Sequence, residues 1–190
     1  MPDQTPSQTV GPYFAIGLYS NNPVYPRIVT GDMATPDVAG RRIRIEGIVF
    51  DGAGEPVPDC MIEVWQADGE GHYRTGERQW NDGFTGFGRV GPDETARIII
   101  NTVMPGQVPA PGGGLQAPHL TLVVFSRGLL VHAYTRVYFE DQGQANAADP
   151  VLQIVPSERR ATLIAGKQSE GVYRFDIRLQ GDDETVFFDV

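Results

Sequence analysis

The amino-acid sequence predicts an all-β protein, a single domain in which short strands are joined by long loops. Segments alternating apolar and polar residues outnumber anything with a helical period, turn residues separate them at short intervals, and only one stretch has the make-up of a helix. At 190 residues the chain is long enough to bury a real core and is the right size for one domain, a β-sandwich included.

The elements follow in order. Arg42 to Phe50 reads as a strand with Ile43, Ile45 and Val49 on one face. Asp51-Gly52-Ala53-Gly54 then offers the positive-φ residues of a tight turn, which predicts a hairpin. Met61 to Gln66, Arg97 to Val103, Leu120 to Ser126 and Leu129 to Phe139 are further strand candidates. Val172 to Gln180 is the clearest, because Tyr173, Phe175, Ile177 and Leu179 alternate with Arg174, Asp176 and Arg178. One short helix is expected where Ser157 can act as N-cap, ERRATLIA supplies helix formers and Gly166 can end it. Thr5 to Pro26, Arg74 to Asp93 and Gln107 to Pro118 are rich in Gly, Pro and polar residues, so they are expected to be loops ordered by packing or by a partner.

Composition narrows the function. The formal net charge is −9 with no basic cluster, which disfavours nucleic acid and anionic membranes as partners. No apolar run reaches the roughly 18 to 20 residues that span a bilayer, and the opening MPDQTPSQT lacks the basic and apolar parts of a secretory signal. A cytoplasmic location is the expectation. The sole cysteine, Cys60, cannot form an intrachain disulfide, and its setting, VPDCMIEVW, predicts a buried packing residue. No nucleophile elbow, phosphate loop or thiolate metal site is present. Gly112-Gly113-Gly114 has neither a strand before it nor a helix after it and reads as a flexible loop. His72, His119 and His132 are too widely spaced to form a metal motif by themselves.

Three stretches carry a more specific signal: TPSQTVGPYF at Thr5 to Phe14, EVWQADGEGHY at Glu63 to Tyr73, and APHLTLVVFSRGLLVHAYTRVYF at Ala117 to Phe139. In order and spacing the sequence resembles the intradiol ring-cleaving dioxygenases. PSERRATLIAG and the closing GDDETVFFDV extend the resemblance, specifically to the α chain of the family's two-chain members, over nearly the whole sequence. The resemblance implies a mixed-topology β-sandwich over residues 1–190, with residues 1–26 as an arm that reaches a partner. It also implies a homologous β subunit that binds Fe(3+) through two tyrosines and two histidines, in αβ units of a higher oligomer. Anionic phenolate oxygens suit ferric iron, and a catechol bound to such a metal becomes electron-rich enough to react with O2.

Against that pattern three of the four ligand positions are lost. His119 stands where the first histidine belongs, whereas Thr121 takes the place of the second. Gln107 to Pro118 has no tyrosine, with Val108 near the expected position, and Arg74 to Asp93 has none either. His119 is therefore expected to be a vestigial, hydrogen-bonded ligand position. No metal and no catalytic residue is expected in this chain alone.

The resemblance implies that the chain still recognises the ring carboxylate of a small aromatic acid substrate. Arg127, in Phe125-Ser126-Arg127-Gly128, matches the family's α-chain arginine, and a guanidinium can give a carboxylate two parallel hydrogen bonds. Thr9, Gly11, Pro12 and Tyr13 form the arm that would line the site, with Gly11 permitting close approach and Pro12 stiffening the turn that presents the Tyr13 phenol. Trp65 reads as core. The alternating His132, Tyr134, Arg136 and Tyr138 read as an interface or a solvated face, so Arg136 is left outside the site. The other readings are a non-enzymatic transthyretin-like or carbohydrate-binding sandwich, and a single-chain dioxygenase. The first gives no reason for Arg127 and the Gly-Pro-Tyr arm to occur together, and the missing ligands oppose the second.

Overall fold

A computed structural model describes residues 11, 17–19, 24, 26–75 and 83–190. Its strands are β1 (Arg42–Phe50), β2 (Met61–Trp65), β3 (Phe87–Val90), β4 (Arg97–Val103), β5 (Val108–Pro109), β6 (Leu115–Gln116), β7 (Leu120–Phe125), β8 (Ala133–Phe139), β9 (Ile164–Ser169), β10 (Val172–Arg174) and β11 (Ile177–Arg178). Nine of them form one mixed sheet in the order β11-β1-β10-β9-β8-β7-β2-β3, with β4 paired to β1; β5 and β6 make a separate small hairpin. The sheet curls until β3 lies beside β4, so the two layers of the expected sandwich join into one nearly closed sheet.

The inner face holds the core. Ile43, Ile45 and Val49 of β1, Ile98 and Ile100 of β4, and Leu120, Leu122 and Val124 of β7 are all buried there. Burying side chains of this size stabilises the fold by roughly 1.5 to 3 kcal/mol each. Cys60 belongs to the same core at 0% exposure, and burial pushes its thiol up to about 12, so it packs and does not react. Gly47 sits at the middle of β1, where a Cβ would lie 1.8 Å from the Phe175 carbonyl oxygen, so only glycine lets the chain after β10 approach.

Several expected boundaries shift for visible reasons. After β1, Asp51 accepts from the backbone N–H of Ala53 and of Glu55 and closes the predicted turn, yet the returning chain makes only a single bridge, Phe50 to Pro56. β2 then joins β7 and β3, so no full hairpin forms. The strand predicted from Val172 to Gln180 is broken at Asp176, whose carboxylate takes the Ile48 N–H at 2.9 Å in place of a backbone carbonyl. The Leu129 end of another prediction belongs to a turn, and β8 begins at Ala133.

The predicted helix is the main correction. Ser157 Oγ donates to Glu158 instead of capping, Arg160 to Leu163 makes one 3-10 turn, and Gly166 lies inside β9 because Ile164 and Ala165 pair with Tyr138 and Phe139. Two short helices follow β8, α1 (Gly143–Ala148) and α2 (Pro150–Ile154). Asp149 caps α2 by accepting from Val151 and Leu152 N–H, with Pro150 at the first helical position.

Candidate functional site

Two neighbourhoods carry the residues singled out above. The first is the turn between β7 and β8. It is closed by Leu129 N–H donating to the Ser126 carbonyl, and Gly128 has φ +82, a value most side chains resist. Arg127 leaves this turn with 63% of its side chain exposed, and its Nε stands 3.4 Å from Asp59 Oδ1. An exposed pair of this kind is worth about 0 to 1 kcal/mol, so Asp59 restrains the guanidinium without consuming it. Tyr19, in the described part of the N-terminal segment, donates to the Asp59 carbonyl oxygen at 3.1 Å. The segment and the Arg127 turn thus meet at Asp59. Beside Arg127, Leu130 and Val131 are exposed.

The remaining residues of the expected arm are distributed unevenly. Gly11 is partly exposed, and a Cβ there would touch nothing within 4 Å among the described residues. Thr9, Pro12 and Tyr13 lie outside the described residues.

The second neighbourhood surrounds His119, just before β7. The imidazole is 3% exposed; Nδ1 lies 2.7 Å from the Ala117 carbonyl oxygen and Nε2 lies 3.5 Å from the Tyr73 hydroxyl. A carbonyl partner fixes the proton on Nδ1. Burial, then the positive charge of Arg136, lower its pKa from 6.5 to about 4, so the ring is neutral at physiological pH.

The register of β7 and β8 explains how Arg136 arrives there. Thr121 is directly opposite Arg136, and Tyr138 lies two residues further along the same face. Arg136 Nη1 donates to Gln116 Oε1 at 2.7 Å and to the Tyr138 hydroxyl at 3.3 Å, and that hydroxyl donates to Asp149 Oδ1 at 3.2 Å. Tyr138 is fully buried, and burial pushes its phenol up to about 12. Asp149, also fully buried, accepts from Ala117, Val151 and Leu152 N–H as well. On the face expected to be solvated or an interface, Arg136 is partly buried and Tyr138 fully buried, both within this hydrogen-bonded cluster.

These donors do not fit ferric iron. His119 is a single imidazole donor, Thr121 and Val108 offer no strong donor, and the Arg136 guanidinium stands beside the Tyr138 hydroxyl. Among the described residues no three His, Cys, Asp or Glu side chains converge as a metal site. Trp65, expected in the core, is half-buried and stacks on Tyr73 with ring centroids 6.1 Å apart and planes 7° from parallel.

Comparison with known proteins agrees with this architecture. A family model described as "Dioxygenase" matches residues 10–181. The chain is 49% identical to the protocatechuate 3,4-dioxygenase alpha chain of Burkholderia cepacia, with 98% of each chain covered. It is 31% identical to the beta chain of the same enzyme and organism, over 77% of this chain and 67% of that one. Its fold matches the crystal structure of 3-chlorocatechol 1,2-dioxygenase from Rhodococcus opacus 1CP with a TM-score of 0.62, at 23% identity, covering 93% of this chain and 71% of that one.

Proposed function

Because this chain belongs to the dioxygenase family, as an intradiol ring-cleavage type, we propose that it is the α subunit of a protocatechuate 3,4-dioxygenase. In this reading it acts only together with a homologous β subunit that holds the family's ferric iron. The assembled enzyme opens the ring of 3,4-dihydroxybenzoate between its two hydroxylated carbons, placing both atoms of O2 in 3-carboxy-cis,cis-muconate.

The observation that carries the division of labour is the donor set around His119. One imidazole and a guanidinium stand where a ferric site would need several anionic or imidazole donors, so the metal is assigned to the partner. What this chain supplies is recognition. Arg127 offers an exposed guanidinium on a turn flanked by exposed Leu130 and Val131, which suits a cation at a subunit boundary whose apolar neighbours a partner covers. There it holds the substrate carboxylate by two charge-assisted hydrogen bonds and directs the catechol oxygens away from itself. Residues 1–26 complete this boundary as an arm, with Thr9, Gly11, Pro12 and Tyr13 against the bound acid. The Asp59 contact, shared by Tyr19 and Arg127, supports an arm that runs close to the turn. No helix among the described residues is long and apolar enough to cross a membrane, and the assembly is assigned to the cytoplasm.

Oxygen uptake with protocatechuate tests the proposal: the chain alone is expected to be inactive, and co-expression with an iron-binding homologue is expected to produce activity. Uptake by the chain alone, or none with any iron-binding partner, contradicts it.

A further inference from the structure

Given the role proposed for Arg127, on which this inference rests, we propose that Asp59 is its positioning residue. By holding the guanidinium at Nε, the Asp59 carboxylate presents the terminal Nη1 and Nη2 edge to the ring carboxylate of the substrate. The register of the sheet brings the two side chains together. Met61 of β2 pairs with Phe125 of β7, and the same antiparallel register carried two residues further sets Asp59 opposite Arg127. There Arg127 Nε stands 3.4 Å from Asp59 Oδ1, an ion pair.

Both ends of the pair are fixed by the chain around them. Cys60, next to Asp59, is completely buried, and the Asp59 carbonyl oxygen accepts from the Tyr19 hydroxyl at 3.1 Å. The turn that carries Arg127 is closed by Leu129 N–H donating to the Ser126 carbonyl. Between these anchors runs a long side chain that is 63% exposed. A long exposed side chain gives up rotamer freedom when it meets an anion, and a tether at Nε takes part of that loss before the substrate arrives.

Asp59 has its own reason to keep the cation close. Its Oδ1 is sealed from solvent and accepts no hydrogen bond, and Arg127 is the cation within ion-pair range of it among the described residues. The tether uses Nε, and the parallel donors at the far end of the fork, Nη1 and Nη2, suit both oxygens of a carboxylate. The charge of Asp59 separates positioning from simple electrostatics. A carboxylate beside an anion site repels the anion, so if Asp59 contributed charge alone, removing it would tighten protocatechuate. If it positions the fork, removing it weakens protocatechuate although a repulsion has gone.

Oxygen uptake by the co-assembled αβ protein, with protocatechuate and catechol as probes, tests this. Asp59→Ala is expected to raise the KM for protocatechuate about three- to fivefold, the scale of an exposed ion pair, with kcat and the KM for catechol much less affected. In an Arg127→Ala background the same substitution is expected to add nothing, since the group it positions is gone. Asp59→Asn keeps the shape and removes the charge, and it replaces the alanine variant if that one fails to assemble; it is expected to raise the KM for protocatechuate about twofold. A protocatechuate KM that is unchanged or lower, an equal rise for catechol, or a further loss on top of Arg127→Ala overturns the inference. If Arg127→Ala weakens protocatechuate and the Asp59 variants do not, the positioning role alone fails. If Arg127→Ala itself changes nothing, the role of Arg127 fails and the positioning role falls with it.

Discussion

Arg127 and His119 place opposite demands on their surroundings: one needs its charge available, the other is kept from acquiring one. For Arg127, a charge-assisted hydrogen-bonded partner is worth about 1.5 to 3 kcal/mol, or roughly one to two powers of ten in affinity. Arg127→Ala in the co-assembled enzyme is therefore expected to weaken the apparent affinity for protocatechuate by that order, with iron content unchanged. Catechol, which lacks the carboxylate, is expected to change much less. Lysine is expected to recover part of the loss, because it keeps the charge without the planar fork. Equal behaviour of parent and alanine variant toward both substrates would remove Arg127 from the site. For His119, the folded-state pKa of about 4 lies below the ordinary 6.5, so between these values the unfolded chain binds a proton that the folded chain does not. Stability therefore falls as pH drops from about 6.5 to about 4 and levels off below, by an amount on the order of 3 kcal/mol. Urea unfolding of a His119→Gln variant is expected to show a shallower loss across that window; an unchanged slope would contradict the burial argument. The sequence singles out Arg127 and His119, but it does not show that Arg136 lies beside His119. Its alternation with His132 and Tyr134 pointed outward, and only the pairing of Thr121 with Arg136 reveals that it faces His119.

At the scale of elements, β1 joins the architecture together, since it pairs with β4 on one side and with β10 and β11 on the other. Gly47 is the position that allows this. Gly47→Ala would drive a methyl group to 1.8 Å from the Phe175 oxygen, so backbone must move, and the variant is expected to lose several kcal/mol or fail to fold. Near-parent stability in thermal unfolding would show that β10 can shift away from β1. The strands Arg42 to Phe50 and Arg97 to Val103 were read from the sequence to the residue. Val172 to Gln180 alternates most clearly of all but breaks, because alternation does not reveal that the Asp176 side chain will replace a backbone acceptor. The helical content escaped for a related reason. Ser157 and Gly166 bracket a good helical composition, yet parallel pairing of Ile164 with Tyr138 outweighs local propensity. The Asp149-Pro150 cap and first-turn signal was present in the sequence and marks α2.

At the scale of the whole molecule, the chain has the fold of the ring-cleaving dioxygenases. Its family could be read from the order and spacing of GPYF, EVWQAD and the Ala117 to Phe139 stretch. The polar cluster around His119 could not be read as fully, since Tyr73, Gln116, Arg136, Tyr138 and Asp149 come from separate elements that meet only after folding. The central claim is that this chain recognises substrate and leaves the metal to its partner. It is tested most directly by the iron content of the purified full-length chain, measured beside the co-assembled αβ protein. Iron far below one per chain in the first and close to one per αβ pair in the second is the expected result. Stoichiometric iron in the chain alone, accompanied by the visible absorption of tyrosinate bound to ferric iron, would contradict the account.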